Sequence, residues 1–269
     1  MIDTLLADYS GMQNYLISLG VVQARLMPLF LLMPFMNRQM VPRTLQFGIA
    51  AGLGLMVAPT IPADQLPGGL PLVALLLKES ILGLMLGYVA AIPFWIMESV
   101  GFIIDNQRGA SMAATLNPLT GHDTSPLGIL FGFAFITYYM AVGGVQVMLT
   151  MIFDSYRLWP PLSFWPDFAR ADWADLLMGQ LNFLLRAAML LAAPVMVAMF
   201  MAELSLALVS RFAPQLQVFF LAMPIKSALA LLVLILYTGT LFDFIDKPLR
   251  GTADWVLRID PGLKQEGGR

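Results

Sequence analysis

Six ionisable side chains stand inside or at the edges of long apolar runs: Arg25, Lys78, Glu79, Arg186, Glu203 and Lys226. A charge at the centre of a bilayer costs about 2.5–3.5 kcal/mol on insertion scales, so such side chains usually face protein or water. They point either to a polar path through a helical assembly or to ion pairs that hold subunits together. The plainer reading is snorkelling from helix ends or internal pairing, such as Arg186 with Glu203. Lys78 and Glu79, about eight residues into their run, would suit a hairpin bend. Catalysis finds little in the inventory. His122 is the only histidine and cysteine is absent, which leaves neither a multi-histidine nor a thiolate metal site. His122-Asp123 beside Ser125 has the residue types of a hydrolytic triad, but it stands in a Pro/Gly-rich turn. No GxSxG, HExxH or GxxxxGK[ST] pattern occurs. The expectation is a protein that is not an enzyme and takes no cofactor and no metal.

A second constellation interrupts the oily chain at its middle. Asp105, Asn106, Gln107 and Arg108 are followed by the small residues Gly109, Ala110, Ser111, Ala113 and Ala114, with Met112 among them. Then come Asn117-Pro118, Gly121 and Pro126, residue types that favour bends over continued helix. The segment is too polar to cross a bilayer and too small and apolar for an ordinary solvated loop. It is expected to line or block a path through the membrane.

The elements that must position these groups follow from composition. Of 269 residues, 59% are hydrophobic and 12% charged, and mean hydropathy is +0.78. Soluble domains carry roughly 25% charged residues, so the chain is read as an integral, multi-pass membrane protein whose lipid contacts are extensive. A net charge of −2 gives no electrostatic case for nucleic acid. Met1-Ile-Asp-Thr lacks the basic region of a signal peptide, so the first apolar run is expected to be retained. Apolar blocks run from about 15 to 36, 44 to 61, 70 to 97, 127 to 153, 176 to 209 and 218 to 242. Several reach the ~20 residues of a transmembrane helix, and 127–153 is the clearest, with no charge in its 27 residues. The runs are continuous, unlike the ~10-residue alternating strands of a transmembrane barrel. The fold class is all-α, about six hydrophobic helices in hairpins, several broken.

Topology strains under six strict crossings. Arg38 and Arg43 mark a cytoplasmic connector, which would put the tail, with Lys247, Arg250, Arg258, Lys264 and Arg269, outside against the positive-inside rule. At least one block is therefore expected to be re-entrant or not to cross. Gly48/Gly52, Gly83/Gly87 and Gly128/Gly132 repeat at GxxxG spacing, which lets helix backbones approach closely. A secondary transporter with broken helices and a midplane binding site is the alternative function. Against it, the two halves show no inverted repeat.

The stretch Arg211-Phe-Ala-Pro214-Gln215-Leu216-Gln217-Val218-Phe219-Phe-Leu-Ala222-Met-Pro224-Ile-Lys226 resembles the C-terminal signature of the FliR/SctT family, export-apparatus proteins of flagella and type III secretion injectisomes. That signature is approximately Pro-Gln-hydrophobic-Asn-Val-Phe, then a small residue, Pro and Lys; Gln217 stands in the place of the Asn. Asp105-Asn-Gln-Arg-Gly-Ala-Ser-Met112 with Asn117-Pro118 resembles the injectisome branch more than the flagellar one. The resemblance covers nearly the whole chain. It implies a subunit of a helical export gate in the bacterial inner membrane, through which unfolded secreted polypeptides pass. Its partners would be SctR-like and SctS-like gate subunits, an SctU-like switch protein and an SctV-like export-motor protein. The resemblance further implies an SctR-like part over 1–175, an SctS-like hairpin over 176–243 and a polar tail over 244–269. Residues 106–124 would be a plug, and Pro214 to Lys226 would lie at the hairpin bend near the cytoplasmic entrance. Arg25, Lys78, Glu79, Arg186 and Glu203 would then serve assembly or the path.

Overall fold

Long apolar runs in a low-water environment must satisfy their backbone groups internally, and helices do so within one segment. The computed structural model describes residues 2–37, 40–62, 65–109, 125–163, 173–212 and 218–251, leaving out the side chains of 2–10, 13, 14, 218–220, 247 and 250. Among them every regular element is helical. In chain order these are α1 (Ile2–Leu32), α2 (Arg43–Val57), α3 (Leu70–Arg108), α4 (Pro126–Ala141), α5 (Gly144–Leu158), α6 (Trp173–Phe212) and α7 (Val218–Gly251). Short 3-10 turns at Pro34–Met36 and Ala58–Thr60 finish α1 and α2.

Local chemistry explains the boundaries. Pro42 precedes α2, and Gln46 Nε2 donates to the carbonyls of Met36 (2.5 Å) and Val41 (3.1 Å), which pins the basic connector to the helix it feeds. Gly69 takes φ +67° one residue before α3, a conformation that glycine adopts without steric cost. Ser125 caps α4 and Pro126 opens it, the N-terminal pairing that proline's fixed φ favours.

Among the described residues four stretches are long and apolar enough to cross a membrane: Tyr15–Leu32, Leu70–Arg108, Trp173–Phe212 and Leu221–Asp246. The run 127–153, expected as one crossing, is instead α4 and α5, broken at Val142-Gly143, where Gly143 sits at φ +81°. It counts as a fifth span only if this bent pair is one. The 15 residues of α2 reach about 23 Å at 1.5 Å per residue, short of a ~30 Å hydrocarbon core. Lys78 and Glu79 do not bend the chain, because they lie inside the uninterrupted α3. Pro93, Pro194 and Pro224 are also carried within continuous helices.

Contacts divide the chain into two units. One is made from residues up to Ala91 together with Gly144–Leu176. Its interior joins Val22, Leu26 and Leu29 of α1 with Leu82 and Leu86 of α3 and Met151 and Ile152 of α5, all fully or almost fully buried. Gly83 and Gly87 set the α1–α3 distance: a Cβ on Gly83 would collide with the carbonyl of Arg25, and one on Gly87 would come within 3.0 Å of Leu29 Cα. The other GxxxG pairs differ, since a Cβ on Gly48, Gly52 or Gly132 would meet nothing within 4 Å among the described residues.

The second unit comprises Ile92–Gly143 and Leu177–Arg250. Its core is aromatic where α3 meets α4. The Phe94 ring lies edge-on to Phe135 with centroids 4.8 Å apart and 4.9 Å from Tyr139, an arrangement worth about 0.5–1.5 kcal/mol per pair beyond area burial. From α4, Tyr138 packs on Phe242 and donates its hydroxyl to Asp246 Oδ1 of α7 at 3.1 Å. Leu184, Leu191, Val195 and Met199 give α6 its buried face.

Candidate functional site

Two buried polar centres emerge among the described residues, one in each unit. In the first, Arg25 and Glu79 are completely buried and paired at 2.6 Å through Nε and Oε2. Arg25 also donates to Ser155 Oγ at 3.1 Å and to the Trp159 carbonyl at 2.8 Å, and its guanidinium lies 4.1 Å above the Tyr156 ring. Lys78 Nζ sits 2.9 Å from Glu79 Oε1 and donates to the carbonyls of Pro161 and Ser163, each at 2.8 Å. Tyr156 returns a hydroxyl bond to the Val22 carbonyl. Ion pairs taken out of water hold only when remaining donors and lone pairs are also met. Here the supply comes from α1, α3, α5 and the turn after it. The cluster fixes these elements on one another; Glu79 Oε1 has the Lys78 ammonium beside it as an ion pair but accepts no hydrogen bond among the described residues.

The second centre is built around Asp105, in the last turn of α3 and 3% exposed. Its Oδ1 accepts from Arg108 Nε at 2.6 Å. Its Oδ2 accepts from Ser125 Oγ at 2.6 Å and from the Leu127 backbone N–H at 2.8 Å. Ser125 Oγ in turn accepts from Gly128 N at 2.9 Å. The first N–H groups of a helix have no partner within it, and a carboxylate there also suits the positive end of the helix dipole. One side chain thus joins the end of α3 to the start of α4.

The approach is possible because both helices are bare where they meet. A Cβ on Gly101 would collide with the backbone of Leu127 and Gly128, and one on Gly128 would lie 3.2 Å from the Glu98 carbonyl. Beside this crossing lies a groove of about 440 Å³ lined by Trp95, Glu98, Ser99, Phe102, Ser125 and Ile129. Gly109 follows Arg108 with φ +86° and ends α3.

Of the residues expected in the central segment, Asn106, Gln107 and Arg108 belong to α3, and Gly109 ends it. Ala110, Ser111, Met112, Asn117 and Pro118 lie outside the described residues, as do Pro214 and Gln215. Val218 and Phe219 open α7, with Pro224 and Lys226 farther inside it. Glu203 pairs with Lys226 at 3.3 Å rather than with Arg186, and Arg186 stands exposed on α6. Arg25 and Glu79 pair with each other, which the sequence reading did not anticipate. It also left Asp105 and Ser125 without roles, although Ser125-Pro126 ahead of an apolar run is a helix-start signal. No group of three possible metal ligands occurs among the described residues.

The comparisons agree with the motifs. The family described as bacterial export proteins, family 1, matches residues 16–251. The chain is 40% identical to the Yop proteins translocation protein T of Yersinia pestis over 94% of its own length and 98% of the relative's. Identity is 32% to the surface presentation of antigens protein SpaR of Shigella flexneri, covering 87% of this chain and 90% of that one. It is 27% to the flagellar biosynthetic protein FliR of Bacillus subtilis, covering 82% and 86%. These relatives are named for translocation of Yop proteins, surface presentation of antigens and flagellar biosynthesis. The chain belongs to the FliR/SctT family of bacterial export proteins, is an integral multi-pass protein of the bacterial inner membrane, and stands nearer the injectisome branch than the flagellar one.

Proposed function

We propose that this chain is a non-enzymatic subunit of a type III secretion export gate, and that residues 106–124 plug the channel through which unfolded polypeptides cross the inner membrane. The observation that carries the reading is the Asp105 clasp. A segment of small residues, unsuited to spanning, is tied at both ends to membrane helices by one buried carboxylate. A channel for arbitrary sequences has no use for specific recognition, and small side chains with Met112 make a compliant closure. The closed state must also stop ions, because one charge crossing 100 mV dissipates about 2.3 kcal/mol. The SctR-like part over 1–175, the SctS-like hairpin over 176–243 and the tail over 244–269 belong to the same proposal. So do Pro214, Gln215, Val218, Phe219, Pro224 and Lys226 as the hairpin signature. SctR-like and SctS-like subunits, an SctU-like switch protein and an SctV-like motor protein are its partners.

The test removes residues 110–116 and keeps Asp105, Arg108 and Ser125. The expected result is an assembly of normal composition whose reconstituted vesicles conduct ions in the absence of substrate. A normal assembly with unchanged conductance would remove the plug from the account.

A further inference from the structure

The outward face of α6 is longer than any membrane can cover. From Leu176 to Val209 the helix carries only two charged residues, Arg186 and Glu203. These 34 residues extend about 51 Å at 1.5 Å per residue. Hydrocarbon cores are about 30 Å thick. Even a tilt of 40° leaves a projection of about 39 Å, so part of the apolar face lies beyond the acyl chains in every placement. Met178, Leu185, Met189, Val197, Phe200 and Leu204 share this face and are 44–63% exposed. Only 33% of the spanning window of α6 is buried within the chain, against 67% for α3.

Arg186 stands at the centre of that face, opposite the buried row of Leu184, Leu191 and Val195. Glu203 is taken by Lys226, and among the described residues nothing pairs with Arg186. If Arg186 is placed at the membrane edge, the apolar residues before it protrude into water. If it is placed deeper, a guanidinium that cannot lose its charge enters hydrocarbon. The first placement calls for a protein cover over the apolar residues, and the second for a cover that also brings an anion.

We infer that this face docks an apolar helix of another membrane subunit, which presents an aspartate or glutamate to Arg186. A second copy of this chain is a poor occupant. Copies inserted in the same orientation meet α6 to α6 at one depth across a two-fold axis, which sets Arg186 against Arg186. The inference deepens the multi-subunit reading above, and its test reads assembly rather than ion leak or export, so either can fail alone.

The chain is co-expressed with the other membrane proteins of its export apparatus and purified as the assembly. A Met189→p-benzoylphenylalanine variant, which keeps Arg186, is irradiated in that assembly and its adducts are weighed. The expected product is a covalent adduct with a different polypeptide. In parallel, Arg186→Glu lowers co-purification of that polypeptide at least tenfold, and Arg186→Lys retains most of it. Exchanging the facing carboxylate for lysine then restores the Arg186→Glu assembly. Adducts with lipid alone, or at twice the mass of this chain, overturn the inference. So does an Arg186→Glu assembly whose partner yield stays within twofold of the unmodified one.

Discussion

Removing either half of the Arg25–Glu79 pair should have unequal consequences. In Glu79→Leu, Arg25 keeps Ser155 Oγ, the Trp159 carbonyl and the face of Tyr156. It loses its only close carboxylate among the described residues while remaining fully buried. Arginine does not deprotonate in proteins, so the full burden of an uncompensated buried charge applies, about 3–5 kcal/mol. In Arg25→Met, Glu79 still has Lys78 Nζ at 2.9 Å. The loss should then approach that of a buried group missing one bond, about 1–3 kcal/mol. The double variant removes both charges; Lys78 keeps its carbonyl bonds to Pro161 and Ser163, and at least half of the Glu79→Leu loss should return. The assay is thermal unfolding of the detergent-solubilised assembly, followed by tryptophan fluorescence. At 2–4 °C per kcal/mol, Glu79→Leu should lower the midpoint by about 6–20 °C. A midpoint within about 2 °C of the unmodified protein would refute the reasoning. So would a double variant less stable than Glu79→Leu, since coupling between contacting residues is the claim.

Asp105→Ala should strip Arg108, Ser125 and the Leu127 N–H of their shared acceptor at once, a loss of about 1–3 kcal/mol by the cost of unmet buried groups. Limited proteolysis between α3 and α4 should accelerate accordingly, and an unchanged cleavage rate would contradict the clasp. Gly83→Val should be far worse than Gly52→Val, because only the first puts side-chain atoms into the α1 backbone; equal yields of membrane-inserted protein would count against that packing. Tyr138→Phe should cost about 1 kcal/mol, the usual net worth of one hydrogen bond, and leave membrane insertion intact. A midpoint shift as large as that of Glu79→Leu would show that the bond to Asp246 does more than the geometry implies.

Helix existence was legible because most of the apolar runs reach the length at which only a helix satisfies its backbone in a bilayer. Where runs end was less so. Gly143-Gly144 is a breaker signal, yet a run with no charge reads as unbroken when hydropathy alone is followed. Lys78-Glu79 misled in the opposite direction. Two charges inside an apolar run suggest a bend, whereas the partners that let them stay in a straight helix, Arg25 and the carbonyls after α5, are supplied from elsewhere in the chain. Pairing has the same character. Arg186 and Glu203 share one helix and invite pairing on paper, but seventeen residues at 1.5 Å set them about 26 Å apart along the axis. Lys226, on the neighbouring helix, takes Glu203 instead. Asp105 could be recognised as unusual by type, but its bond to Ser125 depends on Gly101 and Gly128 letting two helices close up, which no local pattern announces.

The Arg25 cluster also bears on how the chain is made. Glu79 follows Arg25 by 54 residues, while Ser155 and Trp159 follow by 130 and 134. At 5–20 residues per second of synthesis, the ribosome delivers Glu79 about 3–11 s after Arg25, and Ser155 about 7–26 s after it. During that interval the first helix holds a permanent cation without its final ligands. The full set of Arg25 contacts therefore forms only after the fifth helix and the turn that follows it have been translated.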